Sequence, residues 1–99
     1  MALFVVINEE GPSWDPARTM REQKGWAEHA AFMNALADEQ TVRLGGPLGG
    51  GPHHRAMLVL RASDETTLHA RLAEDPWIRT GILRIRELMT WELLLGELP

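Results

Sequence analysis

His29 is the residue whose placement in this chain most suggests proton transfer, and Asp75 is a carboxylate that could border the same cleft. His29 falls within the run Thr19 to Gln40, where Trp26, Ala30, Met33 and Ala37 recur at helical spacing. At about 100° per residue these four form one apolar stripe. His29 is expected at its edge, about 60° from the centre, half-buried between Met33 and Leu36. An unperturbed imidazole with a pKa near 6.5 already suits proton transfer around neutrality. A carboxylate bonded to one ring nitrogen would fix the tautomer and leave the other nitrogen free to accept a substrate proton. Each residue also has an ordinary reading. His29 could be a satisfied core-edge histidine, and Asp75, before Pro76 and Trp77, a turn residue that ends a helix.

Other residue types add possible contacts. Trp14 and Trp77 could line a cavity for a planar ring, or simply bury, while Trp26 and Trp91 fall in apolar registers and are expected in the core. Gly46 and Pro47 belong to the glycine-rich run Gly45–Pro52, which holds five glycines in eight residues. A phosphate-cradling loop needs a following helix and a lysine, and neither is present, so the run reads as a flexible hairpin connection. Glycine there also allows a ligand close to the backbone. His53 and His54 are adjacent and should point to opposite faces of a strand, while His69 sits in a solvent-facing context. No set of three convergent ligands emerges, so no metal is expected. Arg84 and Arg86 read as solvated, or paired with acids across a dimer.

Composition sets the frame. Ninety-nine residues, 44% hydrophobic and 24% charged, make one globular domain over 1–99. A net charge of −4 and ten scattered basic residues argue against a nucleic-acid partner. The longest apolar run, Ala2 to Ile7, is far short of the roughly 20 residues that span a bilayer, and no signal peptide is evident. There is no cysteine, which removes thiolate chemistry and fits a cytoplasmic protein.

The elements that must position His29 and Asp75 follow from pattern. Ala2–Ile7 reads as a strand buried on both faces, and Asn8–Pro16 as a loop. Helix one opens at Thr19, which has capping-box spacing to Glu22. Thr41–Leu44 is a short strand and Arg55–Ala62 a third. Ser63 caps a second helix carrying Leu68 and Leu72, stopped at Asp75-Pro76. Ile82–Leu95 is the last strand, with Leu83, Ile85, Met89, Trp91 and Leu93 on one side and Glu87 marking a bulge or a polar group on a cavity. This order predicts an α+β, ferredoxin-like βαββαβ sheet with two helices on one face. The apolar load on the other face predicts a homodimer packed through its sheets, forming a dimeric α+β barrel.

Taken together, His29-x-x-Phe32, Leu44-Gly45-Gly46-Pro47, and Asp75-Pro76-Trp77 with Gly81 resemble the YCII-related domain proteins from about Leu3 to Leu95. The resemblance implies the same dimeric barrel, a fold similar to that of muconolactone isomerases, and no organic cofactor. One branch of the family removes HCl from a chlorinated hydroxyquinol, with a histidine and an aspartate as acid–base pair; here these would be His29 and Asp75. Many relatives carry an arginine three residues before the histidine, where this chain has Trp26. The expectation is therefore a small enzyme doing acid–base chemistry, isomerisation or elimination, on a small cyclic or aromatic ligand. The alternative is a non-catalytic dimeric binding or accessory module. A His29 nitrogen within about 3.2 Å of Asp75 beside a pocket favours the enzyme.

Overall fold

The computed structural model describes all 99 residues. Four strands, β1 (Ala2–Glu10), β2 (Val42–Pro47), β3 (Arg55–Ala62) and β4 (Leu83–Thr90), form one antiparallel sheet in the order β2-β3-β1-β4. Helices α1 (Trp26–Asp38), α2 (Glu65–Leu72) and α3 (Pro76–Thr80) complete the expected ferredoxin-like α+β arrangement. The main core lies under the helices, where Phe4, Val6, Leu58 and Leu60 of the sheet meet Leu36, Leu68 and Leu72. A second, aromatic cluster of Trp77, Ile82 and Leu83 with Trp14 and Trp26 sits beside it. No helix is long and apolar enough to cross a membrane.

Several boundaries differ from the sequence pattern, each for a physical reason. β1 runs on to Glu10 because the alternation Phe4, Val6, Asn8 continues inward, with Asn8 buried like the two before it. Thr19 does bond Glu22, its N–H donating to Oε1 at 2.9 Å, but the box closes only a 3-10 turn, Met20–Glu22. Gly25, in the left-handed region at φ 81°, then lets the chain swing into α1 seven residues later than expected. β2 extends through Gly45–Pro47, so part of the supposed loop is edge strand. Asp64, not Ser63, caps α2, accepting from the Thr67 N–H at 2.7 Å. α2 stops at Leu72, capped by Ala73, three residues short of Asp75; Asp75-Pro76 instead opens α3, an element the pattern does not suggest.

The last strand carries the largest correction. Ile7 faces Glu87 while Asn8 faces Ile85, so Arg86 is an extra residue, a bulge beside the flagged Glu87. The bulge reverses the sidedness of the strand beyond it: Leu88 turns in, while Met89 and Trp91, expected on the core side, are 40% and 39% exposed. β4 stops at Thr90, opposite Phe4; Trp91 N–H donates to Leu3 O at 3.0 Å as the last rung. The segment beyond is not strand, and Pro99 O accepts from Arg43 at 3.4 Å.

Candidate active site

His29 and Asp75 meet although far apart in sequence. α1 presents His29, Phe32, Met33 and Leu36 inward, at i, i+3, i+4 and i+7, with His29 and Leu36 buried. His29 is therefore at the centre of the buried face rather than at its edge. The expected stripe is rotated from it: Ala37 is exposed, while Trp26 and Met33 pack against the core clusters on one side and line a cavity on the other. Asp75 is held by its role at the start of α3. Its Oδ1 accepts the Trp77 N–H at 2.9 Å, and Pro76 supplies the fixed φ of the first helical position.

The His29 ring nitrogen Nδ1 lies 2.9 and 3.0 Å from the two Asp75 oxygens, with the residues 9% and 3% exposed. A carboxylate offers only acceptors, so Nδ1 carries the hydrogen and donates it. In the neutral ring Nε2 is then an unprotonated acceptor. Trp77 stacks on the imidazole at 4.0 Å with an interplanar angle of 7°. Its own indole N–H donates to Lys24 O at 2.8 Å, at the break where Gly25 turns the chain. Trp26 leans on both rings, at 5.9 Å from His29 and 5.6 Å from Trp77. The imidazole is thus fixed by a carboxylate at one edge and an indole on one face.

A cavity of about 390 Å³ opens beside this pair, lined by His29, Asn8, Trp26, Met33, Gly45, Gly46, Pro47, His54 and Leu58 among others. That is a volume fit for a small ring. Larger hollows of about 530 and 970 Å³ do not contain His29. Gly46 and Pro47 are in the wall as expected. The two tryptophans expected to touch a ligand are not. Trp77 is 1% exposed and serves as the floor beneath His29, while Trp14 stands behind the wall, edge-on to Trp77 at 6.3 Å. Gln23 holds that loop: its amide donates to Asp15 O at 2.8 Å and accepts from Asp15 N–H at 2.9 Å.

Several wall residues escape a reading of the sequence. Asn8 lines the cavity, and its Oδ1 is buried with no partner. A further space of about 10 Å³ touches both Asn8 and Asp75. An unsatisfied buried amide costs about 1–3 kcal/mol, and such costs concentrate at functional sites. The continued alternation of β1 is the available signal. Cations also reach the cavity despite Trp26: Arg21 lies over the Trp26 ring at 5.6 Å, and Arg43, the bulged residue of β2, is in the wall. His54, which the sequence pattern groups with His53, is there as well. Burial pushes its pKa below the ordinary 6.5, nearby His29 pushes the same way, and Glu10 opposes. His53 instead is exposed, 3.3 Å from Glu10.

The YCII-related domain family model matches residues 2–92. In three dimensions the chain is similar to the 5-chloro-2-hydroxyhydroquinone dehydrochlorinase (TftG) of Burkholderia phenoliruptrix AC1100, solved in complex with 2,5-dihydroxybenzoquinone. The TM-score is 0.64 at 19% identity, covering 95% of each chain, a likeness of fold. No curated protein matches the chain.

Proposed function

The chain belongs to the YCII-related domain family, and on that premise we propose that it is a small enzyme doing acid–base chemistry on a small cyclic or aromatic compound. The observation that carries this reading is the buried His29–Asp75 pair, 2.9 Å apart beside the 390 Å³ cavity. Asp75 holds the ring so that Nε2 is the proton acceptor. Nε2 takes a proton from the bound ring compound; in isomerisation the electron pair left behind shifts the double bond and Nε2 returns the proton to a different carbon, whereas in elimination that pair forms a new double bond and the leaving group departs as an anion with its bonding pair. The fold likeness to a dehydrochlorinase supports the second course. No step calls for an organic cofactor.

The reading extends to assembly. On the sheet face away from the helices, Leu44, Val59, Val5 and Met89 stand in one row across all four strands. Leu44 and Met89 are 44% and 40% exposed there, an apolar surface that a second copy would cover. We propose a homodimer through these faces.

The test is chloride release from 5-chloro-2-hydroxyhydroquinone, and double-bond migration in muconolactone-type lactones, by the protein and by His29→Asn. Turnover that the substitution removes while fold and ligand binding persist supports the enzyme. Full turnover in His29→Asn refutes the base. Ring binding with no turnover of either class points to the binding module instead.

A further inference from the structure

The cavity holds a second imidazole, and its setting differs from that of His29. His54 stands at the start of the β3 hairpin arm, where its backbone N–H donates to Glu10 Oε2 at 2.6 Å. Its ring is stacked on Trp14 at 4.8 Å with an interplanar angle of 9°. Trp14 in turn meets Trp77, and Trp77 meets His29, so a train of packed rings fixes the two imidazoles relative to each other. Both line the same cavity. Neither ring nitrogen of His54 is engaged in a hydrogen bond within the chain, and no carboxylate touches the ring. The ring is oriented from behind and left with its polar edge unspent.

We propose that His54 recognises a hydroxyl group on the ring of the ligand, accepting its hydrogen bond while His29 acts elsewhere on the same ring. This rests on the reading of the cavity as a site for small rings. An imidazole without a carboxylate partner, half-buried beside Trp14, presents a neutral acceptor. Its lowered pKa keeps it so at neutral pH. Such a ring accepts from a phenolic O–H at its unprotonated nitrogen and lacks the positive charge that would favour a carboxylate or phosphate. The ligand class is thereby narrowed to hydroxylated rings, with the hydroxyl directed toward β3 and the reacting position toward α1.

The experiment is equilibrium binding by NMR titration, using catechol and the size-matched 1,2-difluorobenzene, which has no hydroxyl. The chain as it stands should prefer catechol by about tenfold, the value of one ordinary hydrogen bond. His54→Phe keeps the stack on Trp14 and removes the acceptor, so the preference should fall to near one with the difluorobenzene affinity unchanged. His54→Gln, which restores an acceptor without the ring, should recover part of it; His54→Leu serves if phenylalanine disturbs the fold. An unchanged preference in His54→Phe or His54→Leu overturns the proposal, as does failure of catechol to bind the unaltered protein at millimolar concentration. Because binding alone is read, the outcome is separable from catalysis by His29. A preference that vanishes in His54→Phe stands even if no turnover is ever found, and turnover lost in His29→Asn does not rescue an unchanged preference.

Discussion

Replacing Asp75 separates two duties that this one carboxylate performs. In Asp75→Ala the charge-assisted bond to His29 is lost, worth about 1.5–3 kcal/mol, together with the cap of α3, worth about 1 kcal/mol. Both groups are nearly inaccessible to water, so little of that loss is recovered by hydration. The expected destabilisation is about 2.5–4 kcal/mol, a fall in Tm on the order of 12–20 °C for a domain of this size. Asp75→Asn keeps an oxygen for the Trp77 N–H, now 2.9 Å from Oδ1, and so keeps the cap. Its amide NH₂ then faces His29 Nδ1 and donates to it, which moves the ring hydrogen to Nε2. The stability loss should be about half that of Asp75→Ala, and proton acceptance at Nε2 should disappear. Thermal denaturation of both variants gives the first quantity, and nitrogen NMR of the His29 ring reports the tautomer directly. In a His29→Phe background Asp75→Asn should cost much less, since the shared interaction is already gone. An Asp75→Asn protein that melts with the unaltered one and keeps its hydrogen on Nδ1 would refute the pairing as the device that orients the ring.

Three further outcomes rest on the same geometry. The pKa of His54 lies below its unfolded value near 6.5 through burial and the proximity of His29, against the pull of Glu10; on acidification the unfolded chain takes up this proton first, so stability should decline as pH falls through about 6.5. Urea denaturation from pH 7.5 to 5 should show this slope, flattened in His54→Phe; the lowered carboxylates Glu22, Glu39 and Asp64 weaken the fold only further down, below about 4.5. Gly81 sits at φ 78° with space for a Cβ only 3.2 Å from Ser13 Oγ, so Gly81→Ala should cost roughly 1–2 kcal/mol in the same assay. Met89→Glu or Leu44→Glu places a charge in the apolar row of the open sheet face, and light scattering should then report one chain where the unaltered protein reports two; an unchanged mass would refute pairing through that face.

How far the sequence discloses this arrangement depends on the range of the interaction concerned. Periodicity identifies four strands and two helices in order, because burial on one face imposes a period that is written locally. It fails where a neighbour decides the outcome. The bulge at Arg86 is a mismatch between β1 and β4, invisible in β4 alone, and it turns Met89 and Trp91 outward. Asp75-Pro76 reads as a helix stop, yet the same two residues are as good a start; α2 has already ended at Leu72, and α3 is only five residues long, too short to reveal itself by period.

The misplacement of His29 on its helix shows why cavities mislead pattern reading. Trp26, Met33 and Ala37 all line the cavity, Trp26 and Met33 while also packing on the core, and a wall has the same chemical signature as a core. Choosing them as the buried stripe pushes His29 to the edge, whereas it lies at the centre of the true buried face with Leu36 two turns on. A buried imidazole in that position must be satisfied, and the chain satisfies it with Asp75 rather than with backbone. The requirement is legible, since a histidine between Trp26 and Phe32 on an inward face demands a partner. His54 carries no such demand. It stands at an irregular strand entry, its ring supported by Trp14 from a loop some forty residues earlier, and no local rule connects those two positions. A buried group such as His29 leaves a trace in the sequence because burial demands a partner for it; His54 leaves none, because nothing inside the chain requires its polar atoms to be met.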